Sequence, residues 1–389
     1  MVTYFYLLLW SIFITINANA EQSKIMKIFL GGDAMLGRGI DQILVHPSSP
    51  EIYESYVKDA RAYVAMAESS NGMIPKKAPD SYIWGDALLE WEKQKPMLKI
   101  LNLETSVTRN NDYWKGKGIN YRMNPENIGV LKTVPNLVLA LANNHVMDWG
   151  MAGLLETLEV LTKSGIPFSG AGENLSQAMA PAIYNLNIHQ RILYFSMGLE
   201  SSGIPGPWRA DKNRSGIYLL TDLSRKSLLE VKEVIDHYKR PGDLVIVGLH
   251  WGSNWGYEVP KSHQDFAHAL IDEVGVHLIH GHSSHHPRPI EIYKKVPILY
   301  GCGDFINDYE GIGGSESFRD DLAAMYFVKF NTETFKSEGV EIVPMQIKKF
   351  KLFYAKKNDV SWMMETLARE SKKMGTNFKR IDDQRFSAF

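Results

Sequence analysis

Five short apolar runs constrain this chain more than any other feature, because each stops at residues that bind metals or move protons. Residues 27–30 lead into Gly31-Gly32-Asp33, 98–101 into Asn102-Leu103-Glu104, and 137–142 into Asn143-Asn144-His145. Residues 244–249 lead into His250-Trp251-Gly252, and 276–279 into His280-Gly281-His282. Runs of this length, rich in Val, Ile and Leu, suit buried strands. Between them lie stretches of helical period. Leu154, Leu155, Leu158 and Leu161 share a face before Gly165, and similar patterns run up to Pro241-Gly242 and Gly275. Strand–helix alternation predicts an α/β fold. Ligands of open α/β sheets sit beyond the carboxyl ends of the strands. The five runs are therefore expected to deliver carboxylate, amide and imidazole groups to one rim.

The stretch LIHGHSSHHP, residues 278–287, extends this set. With His277 it holds five of the chain's twelve histidines, and histidine is the commonest metal ligand among side chains. Mixed carboxylate, amide-oxygen and imidazole ligands suit Zn, Mn, Fe or Mg, and without cysteine ligands a structural zinc site is disfavoured. Two metals so held would clamp the attacking and leaving oxygens of a phosphoryl hydrolysis. On that model His145 is the general acid rather than a ligand. Other residues carry blander expectations. Asp148 reads as a helix cap, His277 as a strand side chain, and His263 and His268 as helix residues. His286 precedes Pro287 and is biased to an extended conformation that points away from the site. Trp84, Trp91, Trp251 and Trp255 read as core or site wall. Arg319-Asp320-Asp321 reads as a surface charge cluster, with Arg319 as an anion clamp for substrate the lesser alternative.

Composition narrows the partners and the location. The 43 basic and 44 acidic residues give a net charge of −1, which offers no argument for nucleic acid. Cys302 is the sole cysteine, so no intrachain disulfide forms and the core is held by burial. The chain opens with an apolar run from Tyr4 to Ile16 followed by Ala18-Asn19-Ala20, the pattern of a secretory signal cleaved near Ala20. The run is shorter than the ~20 residues of a spanning helix, although no Lys or Arg precedes it. An uncleaved anchor that holds the protein at the membrane is the alternative. Residues 201–216, rich in Pro, Gly and polar side chains, read as a long surface loop. Residues 356–375 read as a terminal helix capped by Asp359 and stopped by Gly375.

Taken in order, the motifs GGDAMLGRGID, NLETSVT, ALANNHVMDWG, LHWGSNW and GHSSHHPRPIEIY…ILYGCGDFINDY resemble the bacterial CapA family of poly-γ-glutamate capsule synthesis proteins. That family is distantly similar to calcineurin-like metallophosphoesterases. The resemblance runs from about Lys27 to Asp308. It implies a four-layer α/β/β/α sandwich with mixed sheets and the site at the strand ends. Carried over by motif, Asp33, Glu104, Asn144, His250, His282 and His285 are the expected metal ligands, and His145 the expected catalytic acid. Ser283-Ser284 stands where many members have His-Pro. Met35 and Asn102-Leu103-Glu104 replace ligands found in true metallophosphoesterases, so one or two divalent ions (Zn, Mn or Fe) are expected. The implied role is making, exporting or anchoring an anionic polymer, beside membrane-bound synthase subunits. A secreted metal-dependent phosphoesterase acting on a phosphoester is the alternative, and a binding module that holds carboxylates without catalysis is a third reading. The expected divisions are a signal at 1–20, the α/β domain at 24–345, and a helical extension at 346–389 packing on it.

Overall fold

The structure is a computed structural model that describes residues 25–389; the expected signal segment lies outside the described residues. All five apolar runs form strands, and they divide between two sheets. The larger sheet runs in the order Phe378–Arg380, Phe386–Ala388, Ser337–Lys348, Leu322–Asn331, Ile25–Ala34, Leu98–Leu103, Leu137–Ala140, Phe168–Ser169. Asp304–Ile306 also pairs with Ile25–Ala34, in parallel, and Lys351–Tyr354 pairs with Ser337–Lys348. From Ile25–Ala34 to Phe168–Ser169 the pairing is parallel, and on the other side it is antiparallel. The smaller sheet runs Ile290–Tyr293, Val296–Leu299, Leu278–His282, Leu244–His250, Arg191–Gly198, Ala182–Asn185, with a parallel centre.

Side-chain alternation along these strands explains the layering. Ile28, Leu30, Ile100 and Val138 point from the larger sheet into a core shared with Ile192, Tyr194, Ile246 and Leu278 of the smaller one. The next residues along, Phe29, Leu101 and Leu139, point the other way, against Ile40, Tyr63, Trp91 and Leu154 of the outer helices. On the far face of the smaller sheet, Phe195, Val245, Val247 and Ile279 pack on Val231 and Ile235 of the Arg225–Tyr238 helix and Phe266 of the Lys261–Ala269 helix. The result is the expected α/β/β/α sandwich with mixed sheets. Central strands covered on both faces read as near-continuous apolar runs, the pattern seen in the sequence.

Register aligns the rim. Asp33 pairs with Asn102 across one ladder and with Asp304 across another, and His250 pairs with His282. Gly32 makes the Asp33–Asp304 approach possible. A Cβ on it would lie 1.6 Å from the Gly303 carbonyl oxygen, so no larger residue fits.

The C-terminal stretch differs from a helical extension. It contains the Lys357–Ser371 helix, but Ser337–Lys348 runs across the expected boundary at 345, and two further strands join the edge of the larger sheet. Phe386 and Ala388 are buried there opposite Ile342 and Val340. Strands of three residues are too short to announce themselves by periodicity. Asp359 lies in the first turn of the helix but does not cap it; it pairs with Arg319. Residues 201–216 hold two short 3₁₀ turns and bury Trp208. Among the described residues no helix is long and apolar enough to cross a membrane.

Candidate metal centre and proton-transfer site

Asp33 occupies the middle of the rim. Its Oδ1 accepts from Asn102 Nδ2 at 2.8 Å and its Oδ2 from the Ser283 backbone N–H at 3.2 Å. Ser283 reaches that position with φ of 99°, a conformation that non-glycine residues rarely adopt, and such strain is typical of functional loops. Asn102 also donates to Glu104 Oε2 at 3.1 Å. Asp33 and Glu104 are therefore two buried carboxyl groups facing one amide. Burial raises the Asp33 pKa to about 7, and burial followed by the Asp33 charge pushes Glu104 well above the usual carboxylate range. Such a pair requires a proton or a cation to compensate it.

Two groups of ligand-type atoms share Asp33. In each of Asp33–His250–His282 and Asp33–His285–Asp304, one atom per residue lies within 4.8 Å of the others, and all five residues are buried. The Nδ1 atoms of His250 and His282 are 2.8 Å apart, while His250 Nε2 faces Asn144 Oδ1 at 3.0 Å. With its Nε2–H given to Asn144, the His250 ring keeps a lone pair on Nδ1 for a metal, the usual way an outer partner fixes a ligating histidine. His282 Nε2 is buried without a hydrogen-bond partner among the described residues. Burial holds both rings well below the ordinary histidine pKa, in the neutral form that ligates. His285 Nδ1 contacts Asp304 Oδ1 at 2.9 Å. Burial lowers its pKa, and the carboxylates of Asp304 and Asp33 outweigh burial and raise it. The donor set fits a divalent cation: the neutral imidazoles of His250 and His282 with buried carboxylates, and a His285 ring that would give up its proton on ligating.

His145 stands beside this cluster. Its Nδ1 bonds Asp148 Oδ2 at 2.6 Å, and its Nε2 lies 3.9 Å from Glu104 Oε1. Asn143 fixes the turn by accepting from the N–H groups of His145 and Val146, both at 3.0 Å. Asp148 is not the helix cap expected of it. The Gly150–Lys163 helix has Trp149 at its N-cap position, and the Asp148 carboxylate turns inward to His145, Lys117 and the Tyr121 N–H. Lys117 Nζ also contacts the Asn144 carbonyl and lies 3.0 Å from His145 Nδ1. Burial lowers the His145 pKa to about 4, against the opposing pull of Asp148.

A cavity of about 620 Å³ opens over these groups, lined by His145, His285, Asn144, Lys117, Tyr121 and Tyr309 among others. Trp255 forms part of its wall, as expected, and Trp84, Trp91 and Trp251 lie in the core. The other histidines stay outside it. His280 is fixed between the Tyr194 hydroxyl and the Gly31 carbonyl, and His277 accepts from the Val245 N–H. His286 packs in one aromatic cluster with Trp255 and Phe318, which also touch each other. Arg319 does not line the cavity. Its guanidinium is held by Asp321 and Asp359, so it is not disposed as an anion clamp.

Asp304, Lys117 and the inward role of Asp148 were not expected. Asp304 had a signal, since it follows the apolar run 297–300 through Gly301-Cys302-Gly303, another strand end of the same type. Lys117 had none. It comes from an irregular segment 27 to 31 residues before its partners.

Comparison with known proteins follows the motifs. Residues 27–309 match the model of the bacterial capsule synthesis protein PGA_cap family. The chain is 42% identical over 357 residues to a probable polyglutamine synthesis accessory protein of Mycobacterium tuberculosis, covering 92% of this chain and 94% of that protein. It is 30% identical over 253 residues to the PGA biosynthesis protein CapA of Bacillus subtilis, covering 64% of this chain and 63% of the other. A solved structure of a phosphatase from Mycoplasma pneumoniae aligns with a TM-score of 0.43 at 16% identity, over 83% of this chain and 94% of that one. The ordered motifs, the sandwich and the family match agree, and the chain belongs to the bacterial capsule synthesis protein PGA_cap family.

Proposed function

We propose that this protein is an exported accessory of poly-γ-glutamate synthesis whose rim holds one or two divalent ions and handles an anionic oxygen of the polymer or of a phosphoester. The observation that carries the metal reading is the double membership of Asp33, which belongs to both buried groups of ligand-type atoms. Asp33, His250 and His282 would hold one ion, and Asp33, His285 and Asp304 a second. Glu104 lies close enough to Asn102 and Asp33 to complete the charge balance. Ions so placed would polarise a substrate oxygen and activate water.

The chain's own groups supply the rest. Asp148 fixes the His145 ring through Nδ1 and leaves Nε2 for proton transfer. With a pKa near 4 the ring is neutral at pH 7, so a proton on Nε2 has to arrive with an anionic substrate that favours the imidazolium. Lys117 neutralises Asp148 and holds the turn. Family membership and the relatives' names support the polymer context, which also suggests membrane-bound synthase subunits as partners. The apolar run 4–16 and Ala18-Asn19-Ala20 support export.

A metal-dependent phosphoesterase is the second reading, favoured by the shared Asp33, because paired metals suit in-line displacement at phosphorus. Assay of metal-loaded protein on a generic phosphodiester and on polyglutamate separates the two. Turnover of the diester alone favours the second, and turnover or binding of the polymer favours the first. Inertness toward both substrates rejects a catalytic or polymer-binding rim.

A further inference from the structure

Neither the metal reading nor the proton-transfer reading uses a pair of tyrosines in the cavity. The Tyr121 ring packs edge-on against His145 with centroids 4.3 Å apart, and the Tyr309 ring edge-on against His285 at 5.5 Å. Each thus stands beside one of the two histidines that line the cavity. Their hydroxyls meet at 3.3 Å. The other contact of the Tyr309 hydroxyl is Met35 Sδ at 3.5 Å, and a thioether is a weak acceptor. Two O–H donors therefore share one long mutual bond and one poor acceptor. An anionic oxygen would be the better partner for both, since hydrogen bonds to charged acceptors are the strong ones.

A cation that lines the same cavity is packed against both rings. The Arg38 guanidinium lies 4.7 Å from the Tyr121 ring centroid and 5.9 Å from that of Tyr309. Three of its five N–H bonds go to Asp308 and Glu54. A positive charge beside the rings makes each phenol a stronger donor and adds to the attraction for an anion.

We infer that the Tyr121 and Tyr309 hydroxyls form an oxyanion-binding subsite that holds a carboxylate or phosphoryl oxygen of the substrate between His145 and His285. This rests on the reading of the cavity as a substrate site. The subsite orients the ligand and takes no part in proton transfer.

The test uses the full chain loaded with metal, as Tyr121→Phe, Tyr309→Phe and the double variant. Each is titrated calorimetrically with inorganic phosphate and, in a second arm, with a short γ-linked glutamate oligomer. Metal content and thermal midpoint are measured on the same preparations. Each single variant is expected to bind about 10-fold more weakly and the double variant roughly 10- to 100-fold more weakly, at parental metal content and midpoint. Loss in both arms supports a general oxyanion subsite, and loss in one arm identifies the oxygen as phosphoryl or carboxylate. Unchanged affinity in the double variant, with the parent binding, overturns the subsite and leaves the proposed function standing. Weakened binding that comes with lost metal or a lowered midpoint also overturns it, because the tyrosines would then be structural. A parent that binds neither probe overturns the reading of the cavity and the subsite with it.

Discussion

The Nδ1 atoms of His250 and His282 face each other at 2.8 Å, on adjacent strands paired residue to residue. Two buried neutral imidazoles at that distance have one hydrogen between them at most, and Asp33 offers an oxygen within 4.8 Å of both rings. A divalent cation would satisfy both lone pairs and the carboxylate together. His282→Ala is accordingly expected to lower metal affinity by at least ~10-fold, since even outer partners of ligands are worth 10- to 100-fold. His286→Ala, which removes a ring packed against Trp255 and Phe318, is expected to leave affinity unchanged. Calorimetric titration of metal into both apo variants distinguishes them.

Asp304 separates one ion from two. It belongs only to the group with His285, so Asp304→Asn should reduce the bound metal by about one equivalent if both positions fill, while the His250–His282 position keeps its ion. Elemental analysis after dialysis reads this directly. Parental stoichiometry in Asp304→Asn would remove Asp304 from the ligand set.

His145 and Asp148 form a unit whose loss is expected to spare the metal. A general acid contributes ~10²–10⁴-fold to rate. His145→Ala should therefore lose most turnover of any hydrolytic substrate while keeping parental metal content. Asp148→Asn should act in the same direction by releasing the ring orientation. Equal loss of metal and turnover in His145→Ala would make His145 a ligand. If the protein handles polymer without hydrolysis, both variants should support polymer production at near-parental levels.

The pH dependence of stability has a component outside the ligand cluster. His263 is stacked on Trp251 with centroids 4.3 Å apart, and burial, with the nearby Arg288 cation, lowers its pKa from 6.5 to about 4. The unfolded chain therefore binds the proton first. This group's contribution is complete above about pH 6.5 and is lost as pH falls toward 4. At pH 5.5 the loss is about 1 kcal/mol, or roughly 2 °C in midpoint for a domain of this size. His263→Phe should flatten the fall in midpoint between pH 7.5 and 5.5 by about that much, as read by calorimetry. A slope equal to the parent's would show that His263 is not held neutral by burial.

The sequence was most legible where strands are covered on both faces. The runs ending at Asp33, Glu104, His145, His250 and His282 are predominantly Val, Ile, Leu and Ala because both faces of the sheets are covered, and their abrupt polar ends mark the rim. Asp148 misled because Asp just before a helical pattern usually caps it, whereas here Lys117 and His145 compete successfully for the carboxylate. Lys117 and Tyr121 were invisible because an irregular segment has no period to read. Tyr309 closes the GDFINDY motif, but its proximity to Tyr121 and Met35 exists only in three dimensions. The terminal strands escaped because strand pairing, not local pattern, makes three-residue segments into a sheet edge.

The central claim is that this rim holds metal, and the most direct measurement is the metal content of the purified full chain. The protein would be stripped with chelator, reconstituted separately with Zn, Mn and Fe, dialysed and analysed for each element. One or two equivalents per chain with at least one of these metals, falling in Asp33→Ala, is the predicted result. No stoichiometric metal under any of the three conditions would contradict the account.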